Sequence, residues 1–215
     1  MTAAIPAGVW PDAVLGGAQP ARLKVEGSQE VIPLPVRRWH GSLTVDERLV
    51  INAARPPVLD IGCGPGRHAT ALNRLGRRSL GIDTSPAAIR AARRRGATAI
   101  QVSVFGPVPD PGRWATALLF DGNIGIGGDP VRLLERVRDL LNPTGTLLVE
   151  VEPPERGSRR FHAQVQHADQ LSPRFPWAFV GAGEIESIAE SAGLATNRVW
   201  RGGHRWFAEL SKDCP

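Results

Sequence analysis

The chain has 215 residues, 42% of them hydrophobic and 22% charged, which suits one soluble globular domain large enough to bury a core without disulfide staples. Its two cysteines, Cys63 and Cys214, belong to no CxxC pair, so no zinc or disulfide framework is indicated, and the composition fits a reducing cytosol. A net charge of +5 and a pI near 10.4 suggest nucleic acid at first sight, but the chain has no tyrosine, so a small cationic excess is enough to push the pI high.

The arginines are scattered through Ala/Gly/Pro-rich sequence, a pattern that matches the codon usage of a GC-rich bacterium. Their densest cluster, Arg90, Arg93, Arg94 and Arg95, spreads over more than half of a helix circumference, as a solvated face does, rather than forming a phosphate-binding stripe. No apolar run reaches bilayer length, and Met1-Thr2-Ala3-Ala4-Ile5-Pro6 lacks a basic segment leading into an apolar one. Neither a membrane span nor a signal peptide is expected, and the expected location is cytoplasmic.

In chain order, residues 1–30 are rich in Gly, Pro and Ala without a sustained period, an arm or lid by composition. Thr44, with Glu47 three residues on, is a capping box that opens a helix running to Asn52. After Pro56-Pro57 strands and helices alternate regularly. Val58–Ile61 is a short apolar strand, followed by a glycine loop, a helix from Arg67 to Leu75 and a stop at Gly76. Ser79–Ile82 is the next strand, and Ser85-Pro86 opens a helix that ends at Gly96. Ala99–Val104 and Ala115–Phe120 are further strands. Asp129-Pro130 opens a helix with Val131, Leu134, Val137 and Leu141 on one face. Thr146–Val151 is a strand, Gly183–Ala192 a helix, and Val199 and Trp206–Leu210 supply two antiparallel strands. The pattern predicts an α/β fold: a mostly parallel, seven-stranded sheet with helices on both faces, a three-layer sandwich.

In such a sheet ligands bind beyond the carboxyl ends of the strands, where strand order reverses. The first strand runs straight into Gly62-Cys63-Gly64-Pro65-Gly66, a turn that lets a ligand approach with no Cβ in the way. The helix that follows presents roughly +0.5 charge at its N-terminus. Asp83 ends the second strand, where a carboxylate can accept two ribose hydroxyls. Dinucleotide sites prefer G-x-G-x-x-G; here Arg67 and His68 fall where the third glycine would lie. Asp60, two residues before the first glycine, would repel a pyrophosphate but attract an ammonium. The pattern therefore favours an amino-acid-bearing nucleoside over a diphosphate one.

The run Val58 to Gly66 resembles the first motif of class I S-adenosylmethionine-dependent methyltransferases, and Gly81-Ile82-Asp83-Thr84-Ser85 resembles the second. The resemblance covers residues 56–152 motif by motif and implies a Rossmann-like fold with S-adenosylmethionine as cofactor. It implies a cofactor site of Asp60, Gly62, Cys63, Gly64, Gly66, Asp83 and Thr84, with Ser103 and Val104 at the adenine. Asp121, Gly122 and Asn123 would lie beside the transferable methyl. Many family members carry Asp or Glu where this chain has Ser103. The [DN]-P-P-[YF] tetrad of enzymes that methylate exocyclic adenine amines or glutamine amides is absent from Asp121-Gly122-Asn123-Ile124.

The expected function is methyl transfer by in-line displacement to an O, N or C nucleophile of a small-molecule acceptor. Positioning supplies most of the rate, and a base helps where the nucleophile carries a proton. His40 and His162 are the catalytic candidates, with His167, Glu152 and Asp121 as further bases; Trp39, Arg160 and Trp177 are acceptor-site candidates, and no metal is expected. Residues 1–55 would form an arm and cap helix over a domain spanning 56–215, as a monomer or homodimer. The competing readings are an RNA or other nucleic-acid methyltransferase, an NAD(P)-dependent oxidoreductase, and a non-catalytic S-adenosylmethionine-binding module.

Overall fold

The computed structural model describes residues 10–17 and 19–212; Cys214 and the first residues discussed above lie outside them. The central sheet contains seven strands in the order β11-β12-β7-β6-β3-β4-β5. They are β3 (Val58–Ile61), β4 (Ser79–Asp83), β5 (Ala99–Gln101), β6 (Trp114–Leu119), β7 (Leu141–Val151), β11 (Leu194–Gly202) and β12 (Arg205–Lys212). Strands β3 to β7 pair in parallel, whereas β12 pairs antiparallel with both β7 and β11. Strand order reverses at β3, which lies between β4 and β6.

Both sheet faces are covered, and the alternation of side chains along each strand decides which residue serves which face. Ala117, Leu119, Leu147 and Val149 pack with Leu133, Leu134 and Val137 of α6 (Pro130–Leu140) and Ile185 of α7 (Ile185–Ser191). Leu118, Phe120, Leu148 and Phe207 point the other way, onto Val50 and Ile51 of α3 (Val45–Ala53) and Leu72 of α4 (Arg67–Arg74). The buried face of α6 is Leu133, Leu134, Val137 and Leu140; Leu141 already belongs to β7.

The local signals work as their chemistry requires. Thr44 Oγ1 accepts from Glu47 N at 3.3 Å while Glu47 Oε2 accepts from Thr44 N at 2.8 Å. Ser85 Oγ caps α5 (Pro86–Arg94) by accepting from Ala88 N, and Asp129 Oδ1 caps α6 by accepting from Arg132 N. Strand β5 is shorter than expected, ending at Gln101.

The main departure from the sequence reading is a second, wholly antiparallel sheet. It is built from β1 (Arg22–Val25), β2 (Val31–Pro33), β8 (Arg159–His167), β9 (Gln170–Leu171) and β10 (Phe175–Phe179), in the order β10-β8-β1-β2 with β9 on β8. The stretch around His162, which carries no element in the sequence pattern above, is strand. Residues 22–33 and 159–179 form one sheet: each segment pairs within itself, and β1 of the first joins β8 of the second. Its apolar face gathers Leu23, Ala163, Val165, Phe175, Trp177 and Phe179, with α1 (Asp12–Gly17) supplying Val14 and α2 (Val36–His40) supplying Val36. No helix among the described residues is long and apolar enough to cross a membrane.

Candidate functional site

The glycine loop is held from both sides. Gly62 N and Cys63 N both donate to Ile82 O, at 2.9 and 3.0 Å, which ties the loop to β4. Asn123 Nδ2 donates to the carbonyls of Ile61 and Gly62, at 2.8 and 2.9 Å, which ties it to the segment after β6. A Cβ on Gly62 would fall 2.6 Å from that amide nitrogen. Gly64 has φ +51, and a Cβ built on it meets nothing within 4 Å, so its missing side chain leaves open space above the loop. Gly66, with φ +78, serves packing instead: its Cβ would lie 2.6 Å from that of Ala92, so the glycine lets α4 approach α5.

Asp83 stands across the loop. Its Oδ2 accepts from Gly64 N at 2.9 Å and its Oδ1 from Ser85 N at 2.8 Å. Burial pushes its carboxyl above the usual range, and the amides of Ser85 and Gly64 only partly offset this. Each oxygen has one lone pair committed, so each can still accept a hydroxyl.

Between these strand ends and the second sheet lies a cavity of about 290 Å³. Gly62, Gly64, Asp83, Thr84 and Ser103 form one wall; Leu23, Ile32, Trp177 and Phe179 face them from the cap. Trp10 and Trp39 also line it, meeting edge to face with centroids 5.8 Å apart, and Trp10 meets Trp177 at 6.2 Å. The cap thus supplies an apolar, aromatic roof over a polar loop wall, as in many small-molecule sites.

The floor of the cavity is ionic. Arg67 Nη1 donates to Glu47 Oε2 at 2.5 Å, and Arg67 Nη2 to Asp121 Oδ2 at 2.7 Å. Arg38 Nη2 donates to Asp121 Oδ1 at 2.9 Å, and Arg205 pairs with Glu47 and Glu150. The amide of Asp121, whose φ is +58, donates to Glu150 Oε2. Three guanidinium groups, from α2, α4 and β12, thus meet three carboxylates, from α3, the loop after β6 and β7. Burial works against the charge on Glu47, but His68, 3.7 Å away, and Arg67 outweigh it and hold its carboxyl well below the usual range. Burial likewise opposes ionisation of Asp121, and Arg67, His68, Arg38 and Arg205 more than reverse it. The network balances its own charge and ties together elements far apart in sequence.

The structure brings most of the sequence-chosen residues to one place. Gly62, Cys63, Gly64, Asp83, Thr84, Ser103, Val104, Asp121, Gly122, Asn123, Trp39 and Trp177 all line the cavity. Asp60 and Gly66 do not. Asp60 is buried behind the loop, with Oδ1 3.9 Å from His68 Nδ1 and Oδ2 without a hydrogen-bond partner among the described residues, and burial raises its pKa. His40, His162 and Arg160 are also off the walls. His40 Nε2 is engaged with Val14 O at 2.9 Å, His162 sits in β8 opposite Pro176, and Arg160 pairs with Asp129 at the surface. His167 is bonded through Nδ1 to Pro20 O. Sequence reasoning missed Arg38, Arg67, Glu150 and Arg205 as a set. Glu47 had been seen only as a cap, and nothing local marks Arg205.

A glycine loop after the first parallel strand, an acid after the second and a strand-order reversal between them define a Rossmann-like fold for a nucleoside-containing ligand. A sequence profile described as a methyltransferase domain matches residues 58–145. A trans-aconitate 2-methyltransferase of Paracidovorax citrulli is 31% identical over 128 residues, covering 55% of this chain and 49% of that protein. The chain therefore spans about half the length of this curated relative. An S-adenosylmethionine-dependent methyltransferase from Bacteroides fragilis, solved with S-adenosyl-L-homocysteine, superposes with TM-score 0.81 at 21% identity over 99% of both chains. A 1,6-didemethyltoxoflavin-N1-methyltransferase from Burkholderia thailandensis superposes with TM-score 0.55 at 18% identity, covering 90% of this chain and 99% of the other. Residues 58–145 thus match a methyltransferase domain, in a fold shared with S-adenosylmethionine-dependent methyltransferases.

Proposed function

We propose that the chain transfers the methyl group of S-adenosylmethionine to a small-molecule acceptor inside the capped cavity. The observation that carries this is the open face of Gly64 opposite Asp83. It is a cradle that a Cβ would fill, beside a carboxylate with acceptor capacity for two hydroxyls. Gly62, Cys63 and Gly64 would hold the methionine moiety, Asp83 and Thr84 the ribose, and Ser103 and Val104 the adenine. Asp121, Gly122 and Asn123 would border the reactive end. When bound, the cofactor supplies an electrophilic methyl on a sulfonium that leaves as a neutral thioether. The protein's residues have to orient the acceptor, exclude water and receive a proton where the nucleophile carries one.

The two-segment cap supports a small acceptor over a nucleic acid, since its apolar face roofs the site where a base would have to enter. The identity to a trans-aconitate 2-methyltransferase also supports a small-molecule acceptor. Calorimetric titration of S-adenosylhomocysteine and, separately, NADH tests the cofactor. The former is expected to bind and the latter not; tight NADH binding alone would overturn the reading. Binding of RNA or DNA at low salt, falling steeply with log salt, would favour the nucleic-acid alternative.

A further inference from the structure

A second chamber of about 280 Å³ adjoins the first at the carboxyl end of β7. Arg38, Gly122, Glu150, Glu152, Arg156 and Phe179 line both. The second chamber extends to Val151, Pro153 and Trp206, and reaches His204 and Arg205 at the β11–β12 turn. The glycine loop, Asp83 and Ser103 take no part in it. Nucleoside-facing groups thus lie at one end of the pair of chambers and an independent polar compartment at the other.

The carboxylates around these chambers differ in what their oxygens already do. Both oxygens of Asp83 accept backbone amides. Both of Asp121 accept from arginines, and both of Glu150 from Arg205, with the amide of Asp121 added. Glu152 is different. Its Oε2 accepts from Arg156 Nη1 at 3.0 Å, while nothing among the described residues hydrogen-bonds Oε1. Its backbone is fixed, with N donating to Val180 O at 2.8 Å and O accepting from Ala182 N at 2.9 Å, so the side chain springs from a fixed point on the shared wall. The walls beside it include the flat rings of Phe179 and Trp206, and Arg156 packs its guanidinium over Phe179 at 4.6 Å.

We propose that the second chamber receives the methyl acceptor, that the acceptor is a small phenol or enol, and that Glu152 takes its hydroxyl proton; this rests on the cofactor reading above. A carboxylate is a weak base, so its partner should be an acidic hydroxyl such as a phenol, of pKa about 10, rather than an aliphatic alcohol. The ring of Trp206 suits a flat acceptor, and Arg156, stacked on Phe179, is a flat cationic surface beside it. In the transfer the phenolic oxygen forms the O–CH3 bond as the C–S bond breaks, and the C–S electron pair stays on sulfur. The O–H proton passes to Glu152 Oε1 and then to solvent.

The test uses the full chain with labelled S-adenosylmethionine and phenol, catechol and 4-nitrophenol, with aniline and benzoate as separate arms. Phenols are expected to be methylated, and E152Q to lower kcat for phenol by about 10²–10⁴-fold with unchanged affinity for S-adenosylhomocysteine. The deficit should shrink for 4-nitrophenol and as pH rises, because an ionised phenol needs no base. Independently of turnover, 4-nitrophenol bound to the S-adenosylhomocysteine complex should ionise at higher pH in the wild type than in E152Q, since Glu152 resists a second anion beside it. Three results would overturn the proposal: E152Q with wild-type kcat and an identical ionisation midpoint, methylation of aniline or benzoate but not phenols, or no methylation of any phenol by a chain that binds S-adenosylhomocysteine. Failure to bind S-adenosylhomocysteine would strike the cofactor reading first, and this proposal with it.

Discussion

Replacing Asp83 by alanine should cost the chain most of its affinity for S-adenosylhomocysteine, and the structure sets the scale. The carboxylate has two oxygens, each already accepting one backbone amide, from Gly64 at 2.9 Å and from Ser85 at 2.8 Å. Each retains capacity for one ribose hydroxyl, a charge-assisted bond of about 1.5–3 kcal/mol. Two such bonds come to roughly 3–6 kcal/mol, or about 10²–10⁴ in Kd. Alanine leaves room for water to satisfy the two freed amides, so the lower end, about a hundredfold, is expected. Isothermal titration of S-adenosylhomocysteine into wild type and D83A measures it directly, with thermal unfolding of both proteins as the control for folding. A loss below about threefold in a folded variant would mean that Asp83 serves only to brace the loop. The wild-type affinity should also fall as pH drops through the raised pKa of Asp83, because the protonated acid loses the charge that strengthens both bonds.

The glycines of the loop should separate into two classes. Gly64→Val is expected to abolish S-adenosylhomocysteine binding while shifting stability only by the roughly 1–2 kcal/mol of a left-handed backbone, whereas Gly66→Ala should destabilise through its clash with Ala92; equal effects on binding and stability in both would refute the assignment. Arg67→Met strips a partner from Glu47, which is fully buried, and should cost about 3–5 kcal/mol in urea unfolding; a change under 1 kcal/mol would show that Arg205 alone suffices. The acid limb of stability follows from the signs of the shifts. The depressed pKa values of Glu47 and Asp121 give stability that is present above the ordinary carboxylate value of about 4 and lost as pH falls below it. The raised pKa values of Asp60 and Asp83 act oppositely, costing stability as pH rises through them. Unfolding measured from neutral pH downward should therefore show stability holding or rising slightly before it collapses below about pH 4, and Glu47→Gln should blunt that collapse.

Much of the sheet was legible because its signals are local. A parallel strand buried on both faces reads as a short apolar run, a cap as one side chain beside a proline, and the glycine loop as five consecutive residues. The second sheet was not, although Phe161, Ala163 and Val165 alternate along β8 as a half-buried strand should. Arginines flank the start of that alternation, Pro176 interrupts the look of β10, and the strand that joins β8 to the rest of the sheet is β1, well over a hundred residues earlier. Pattern within a window cannot report such a partner.

Sequence by itself determined the glycine turn at Gly62 to Gly66, because turning a strand sharply into a helix with an open backbone requires glycine wherever it occurs. It also determined Asp83, whose position after the second strand follows from the alternation of elements. Tertiary structure decided the rest. Only folding showed that Gly66 serves helix packing and that Asp60 lies behind the loop. It showed that Arg38, Arg67 and Arg205 converge on Glu47, Asp121 and Glu150, and that among the described residues nothing hydrogen-bonds one oxygen of Glu152. These are facts about which side chains meet across long loops, and a charge or a hydrogen bond acts through distance in space, which the order of residues does not record.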